Sequence, residues 1–158
     1  MTDNKVSPVE KRLIEAKIVR QILVEMIGEI GEEKAWEILD RTITKLSIDE
    51  GIEYARNVSC DATPESYMNL MMDWSEDGTL EIIPVSVSLK HAHFRINRCR
   101  YAEMYQQAGM TDLGKVLSCG RDGTVCLGYN PNITLNRAQT IMDGAAVCDF
   151  HLKLTEVG

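Results

Sequence analysis

The feature that most constrains this chain is a change of hydrophobic period near its middle, at Glu76-Asp77-Gly78. Before that turn signal, Val9, Leu13, Ile18, Ile22, Leu23, Met26 and Ile27 recur at steps suited to one face of a helix. After it, apolar and polar residues alternate, as in Val85-Ser86-Val87-Ser88-Leu89, which is the period of a half-buried strand. Helices followed by alternating strands predict an α+β fold, with N-terminal helices packed on an antiparallel β-sheet formed mainly by the C-terminal half. The 158 residues are expected to form a single domain, with residues 1–75 its helical part and residues 76–158 its sheet-containing part.

Local signals refine this outline. Ser7 before Pro8 and Glu10 predicts a helix start, and the helix should end or bend at Gly28 or Gly31. A second helix is expected over Glu32–Lys45, burying Trp36, Leu39, Ile43 and Leu46. Ser47, with Glu50 three residues on, predicts a cap for a third helix running to about Val58. Asp61-Ala62-Thr63-Pro64-Glu65 starts a short helix reaching Trp74, whose Met68, Met71 and Met72 are expected to fill the core. Leu80–Ile96 reads as one long strand, with Pro84 interrupting its ladder. Arg98–Ala108 reads as a helix stopped by Gly109, and a second short helix is expected over Leu113–Leu117. Ile133–Ile141 and Ala146–Leu154 read as strands joined by a hairpin at Asp143-Gly144.

Composition excludes several classes of function. A net charge of -7, with basic residues scattered among acids, argues against a nucleic-acid partner, because phosphate binding wants clustered Lys and Arg. No apolar run has the length of a membrane span, so no membrane partner is expected. The polar start MTDNKVSPVEKR lacks the apolar core of a secretion signal. Five cysteines, an odd number without a C-x-x-C pair, favour reduced thiols over a disulfide framework, and a cytoplasmic location is expected. The apolar stripes on charged N-terminal helices also predict a homo-oligomer.

Residues able to carry chemistry concentrate between Asn97 and Leu154. Cys99 opens a helix, where the macrodipole favours a thiolate and Arg98 and Arg100 would add to the effect. Cys119 precedes Gly120-Arg121-Asp122, read as a turn in which Arg121 could act likewise. Cys148 lies on the return strand. Against these readings stands ordinary burial of cysteine as a small apolar side chain, which is the role assigned to Cys60 and Cys126. Asp122 is either a general base or the cap of its turn. Arg137 suits a carboxylate, because its fork binds two oxygens at once; the alternative is a surface ion pair. Thr140 lies three residues on, and so on the opposite face of a strand unless a bulge intervenes. Tyr129 could line a pocket mouth, whereas Tyr101 is expected in the core. His91 and His93 share one face of a strand and could hold a metal with His151, although two exposed polar residues are the simpler reading. Three cysteines with His93 make another zinc set.

Read together, Arg98-Cys99-x-Tyr101-Ala102-Glu103, Gly109, Leu113-Gly114, Cys119-x-x-Asp122, Gly128-Tyr129-Asn130-Pro131, Arg137-x-x-Thr140-Ile141 and Gly144-x-x-x-Cys148-Asp149-Phe150 resemble the L-2-amino-thiazoline-4-carboxylic acid hydrolase family. The resemblance rests on a little over a third of the chain, with no motif before Arg98. It implies a hydrolase that opens a small cyclic amidine or amide-like ring bearing a carboxylate and needs no cofactor. Cys99, Cys119, Cys148 and Asp122 would be catalytic; Arg137, Thr140 and Tyr129 would bind the small-molecule substrate. The closing Gly-x-x-x-Cys-x-Phe hairpin is also similar to that of 4-vinyl-reductase-type small-molecule-binding domains. That likeness implies the alternative of a non-catalytic binding module, with zinc as a stabiliser.

Overall fold

A computed structural model describes residues 5–156. Helix α1 spans Pro8–Ile30 and opens as expected: Glu10 N donates to Ser7 Oγ at 3.2 Å, and Ser7 N donates to the Glu10 carboxylate at 2.8 Å. Gly28 lies inside the helix, and the chain turns at Gly31, where φ is +86°. Ala16 and Leu23 are its buried residues, while Ile18 and Ile22, expected inside, are 58% and 54% exposed.

Helix α2 is continuous over Glu32–Asn57, so the expected break at Ser47 is absent. Ser47 instead bonds back within the helix, its hydroxyl donating to Ile43 O at 2.6 Å, which satisfies the group without a cap. Leu46 points outward at 52% exposure. The small buried residues Ser47 and Gly51 form a shallow track on α2, and α6 (Gly120–Tyr129) packs against that helix. A Cβ at Gly51 would lie 2.7 Å from Tyr129 N and closer still to Val125 O; one at Gly128 would lie 3.0 Å from the Ile48 Cα. The two backbones therefore touch directly, which only glycine permits.

Between these helices, α3 covers Pro64–Asp73, capped by Thr63 and Ser66; Met68 and Met71 are buried, but Met72 is 38% exposed. The long strand expected over Leu80–Ile96 is a hairpin. Strand β1 (Leu80–Val87) turns at Ser88, whose N donates to His91 O at 2.7 Å, and returns as β2 (His91–Cys99). The turn has none of the glycine, proline or asparagine that usually marks one, so the alternation runs through it unbroken. Register shifts at Glu81/Ile82 and Pro84/Ser86 dislocate β1 along its length. Helix α4 (Arg100–Gln107), short α5 (Thr111–Gly114) and a π-type turn (Lys115–Cys119) lead into α6. Strand β3 spans only Ile133–Asn136, and a 3-10 turn at Ile141–Asp143 precedes β4 (Cys148–Leu154). Asp143-Gly144 thus closes that 3-10 turn and is not a tight hairpin, although β3 and β4 do pair.

The four strands form an antiparallel sheet in the order β1-β2-β4-β3, and the fold is α+β. One apolar cluster joins the inner sheet face (Phe94, Ile96, Phe150, Leu152) to Tyr67 and Met71 of α3 and Val125 of α6. A second joins α1, α2, α4 and α5 through Leu23, Ala35, Tyr105 and Leu113. Cys99 and Ile141 touch both. The cross-strand pair Phe94–Phe150 stacks at 4.9 Å between centroids, worth about 1 kcal/mol beyond the area it buries. Among the described residues, no helix is long and apolar enough to cross a membrane.

Candidate active site

The seam between the two apolar clusters gathers most of the chemistry-bearing residues. Gly120-Arg121-Asp122 opens α6 and is not a loop; the backbone at Gly114 and Cys119 is itself helical, so Asp122 lies inside a helical stretch that runs from α5 through the π-type turn into α6. The π-type turn just before it ends at Cys119; such turns break helical register and often occur at functional positions. Arg137 reaches across from the link after β3. Its Nη1 pairs with Asp122 Oδ2, its Nη2 donates to Cys119 O at 3.0 Å, and its guanidinium lies 5.3 Å from the centre of the Phe150 ring. Its Nε is buried and has no hydrogen-bond partner among the described residues. Cys148, on the inner face of β4, accepts from Ile141 N at 3.2 Å, and Cys99 accepts from Ala102 N at 3.4 Å as the cap of α4.

The electrostatics differ from the expectation of reactive thiolates. Burial pushes Cys99 up to about 11, overriding the Ala102 N–H that favours the anion. Burial and then the Asp122 charge push Cys119 up to about 12. Cys148 is also raised by burial, against the pull of Ile141 N–H. A helix start favours thiolate only where the sulfur keeps some solvation, and here desolvation wins. The Asp122 carboxyl rises to about 6, because burial outweighs the Arg137 guanidinium. Its side chain nonetheless keeps 32% of its surface open, so the carboxyl is not sealed from solvent. Each of the three thiols is raised by the charge of Asp122, which places acid and sulfurs in one neighbourhood.

Other expected contacts fall elsewhere. Arg121 turns to Glu50 of α2 and leaves Cys119 to Arg137. Arg98 binds Glu103 at 2.7 Å instead of facing Cys99. Thr140 is buried as the cap of the 3-10 turn, its hydroxyl donating to Asp143 Oδ2 at 2.7 Å, so it has no spare group for a ligand. Because β3 stops at Asn136, the opposite-face argument for Arg137 and Thr140 does not apply. Tyr129 lines no pocket mouth: it is 3% exposed at the end of α6, its hydroxyl 2.7 Å from Ser66 Oγ and its ring edge-on to Tyr67. Cys126 is buried as expected, whereas Cys60 is exposed. Tyr67 was not singled out by any motif, yet its hydroxyl donates to Asp122 O at 3.3 Å. Burial, then the Asp122 charge, raises Tyr67 well above its usual value and keeps it a neutral donor.

The histidines lie on the outer sheet face, away from the thiols. His93 and His151 each bond Asp149, while the His91 ring stands 6.3 Å from that of His151. Among the described residues, the one grouping with metal-binding geometry is His93, Asp149 and His151; neither the cysteines nor His91 belong to it.

Residues 11–152 match the family described as L-2-amino-thiazoline-4-carboxylic acid hydrolase. The chain belongs to this family. The match takes in the N-terminal helices, so the family extends well beyond the C-terminal third that carries the motifs. No curated protein matches the chain. Among solved structures, the phenol-responsive sensory domain of the transcription activator PoxR, bound to phenol, is similar with a TM-score of 0.51. It is 14% identical, with 88% of this chain and 73% of that one covered, a likeness of fold.

Proposed function

We propose that the chain is a hydrolase that opens a small, carboxylate-bearing thiazoline-type ring, with Asp122 as the base that activates water. The observation that carries this reading is a partly exposed carboxylate clamped by Arg137, which also binds the Cys119 carbonyl, in a chain of a hydrolase family; burial raises that carboxyl to about 6. A base poised near the working pH combines adequate basicity with the correct protonation state. Neutral buried thiols are poor nucleophiles, which favours water over a covalent cysteine route. Water would add to the amidine carbon while Asp122 takes its proton and the C=N electron pair moves to the ring nitrogen, which is protonated. The adduct would then collapse to a carbonyl as the ring C–N bond breaks, and the hydroxyl proton would pass through Asp122 to the departing nitrogen.

Arg137 has a double role in this reading. It now holds Asp122; a substrate carboxylate would compete for the same guanidinium. Drawing the cation away would raise the basicity of Asp122 further, because Arg137 is what lowers it. The test is turnover of 2-amino-thiazoline-4-carboxylate followed by mass spectrometry. Asp122→Asn should lose roughly 10²- to 10⁴-fold in kcat. Arg137→Ala should raise KM, and Cys119→Ser should stay near the parent rate. A Cys119→Ser variant that is folded but inactive would reinstate the covalent route.

The likeness to a sensory domain favours a second reading, a non-catalytic small-molecule-binding module. Saturable binding of the heterocycle by calorimetry, without product, would decide for it. Five free cysteines fit a reducing, cytoplasmic setting for either role.

A further inference from the structure

We propose that His93, Asp149 and His151 form a binding site for one zinc-class divalent ion on the outer face of the sheet. Strands β2 and β4 are the two central strands, and His93 is the direct cross-strand partner of His151. Asp149 precedes His151 by two residues and therefore shares its face. All three side chains stand on paired backbone in the middle of the sheet, which fixes their spacing.

The spacing suits a small ion. The donor atoms of the three side chains all lie within 4.8 Å of one another. His93 Nε2 is 2.9 Å from Asp149 Oδ1, and His151 Nε2 is 3.0 Å from Asp149 Oδ2. A tetrahedral ion bound at zinc distances holds its ligand atoms roughly 3.3 Å apart. Small side-chain rotations would open the pairs to that separation. The imidazoles already stack at 3.9 Å with both Nε2 atoms turned to the same carboxylate, so a cation would replace two shared protons. Side-chain exposures of 16%, 28% and 44% leave the set reachable from solvent.

Two imidazoles and one carboxylate leave one position of a tetrahedron open. Beside them lies a recess of about 500 Å³, lined in part by His91, Thr134, Asn136, Asp149 and His151. Water, a small anion or a turned His91 could complete the shell there. Imidazole ligands select zinc, cobalt or nickel over magnesium and calcium. Arg95 is the competitor, since its Nε contacts Asp149 Oδ1 at 3.2 Å, but at 53% exposure it can swing into solvent. The neighbours Cys148 and Phe150 point to the inner face, so one strand carries this site and the candidate active site on opposite sides.

The test is titration of tag-free, chelator-stripped protein with Zn²⁺ by calorimetry and with Co²⁺ by visible absorption. The result expected is one ion per chain, a raised Tm, and cobalt bands of a four-coordinate site. His93→Ala and His151→Ala should each weaken binding by at least about 10- to 100-fold. Arg95→Ala should tighten it, which loss of a merely structural ion pair would not do. Absence of saturable binding at micromolar metal overturns the proposal. So does equal binding of Mg²⁺, or binding that Cys119→Ser abolishes and His93→Ala leaves intact.

Discussion

Asp122 ties acid–base behaviour to stability in opposite directions. Its carboxyl is raised in the folded chain, so folding favours the protonated form. The stability it contributes is full below its unfolded value of 3.8 and is lost as pH rises through about 6. Activity under the proposed mechanism runs the other way, rising as Asp122 loses its proton. We expect kcat/KM to climb with an apparent pKa near 6 while this part of the Tm profile falls; Asp122→Asn should flatten both. A second expectation concerns the thiols. Cys60 is exposed, whereas Cys126 and Cys148 are buried and Cys99 and Cys119 half-buried, and burial holds all four thiols protonated. One thiol of five should react quickly with a disulfide reagent at pH 7, and mass mapping should find it at Cys60. At this scale, the motifs in the sequence picked out Cys99, Cys119, Cys148, Asp122 and Arg137, and the fold sets Arg137 against Asp122 and the Cys119 carbonyl. They did not announce the protonation of the thiols, because desolvation depends on neighbours distant in the chain. Tyr67 escaped notice for the same reason: it lies far from Asp122 in sequence and belongs to no motif.

Among the elements, the close approach of α2 and α6 does the positioning. Gly51 and Gly128 let the two backbones meet, and α6 carries Asp122. Gly128→Ala would drive a methyl into the Ile48 backbone, which cannot rotate aside. We expect a loss of about 3 kcal/mol in chemical denaturation, the upper part of the usual range for overpacking, with turnover lowered as α6 shifts. Gly28→Ala, which meets nothing, serves as the control. Helix starts were legible where both partners were local, as at Ser7 with Glu10. Ser47 with Glu50 has the same spacing but misleads, because burial against a neighbouring helix selects a small residue there for another reason. The strand boundaries misled similarly: Ser88-Leu89-Lys90 keeps the alternation while its backbone reverses.

For the molecule as a whole, the two apolar clusters are welded through Cys99 and Ile141. Trp36 packs against one cluster, and Trp74 meets Tyr54 with tilted rings 4.8 Å apart, Tyr54 in turn packing against the other. Single-tryptophan variants therefore report on each side. Their urea transitions should coincide, and Ile141→Ala should shift both together by about 2 kcal/mol. Separate transitions would show two units where the chain length predicts one. The order of helices and sheet was visible in the change of hydrophobic period; the seam was not, since periodicity says which face is buried but not against what. The outermost strand has a further consequence. Ile83, Val85 and Val87 would make β1 a ready template for fibrous stacking of one molecule on the next. Its two dislocations and the missing amide of Pro84 deny a newcomer any unbroken row of donors, so the chain can keep a greasy rim and still stay dispersed.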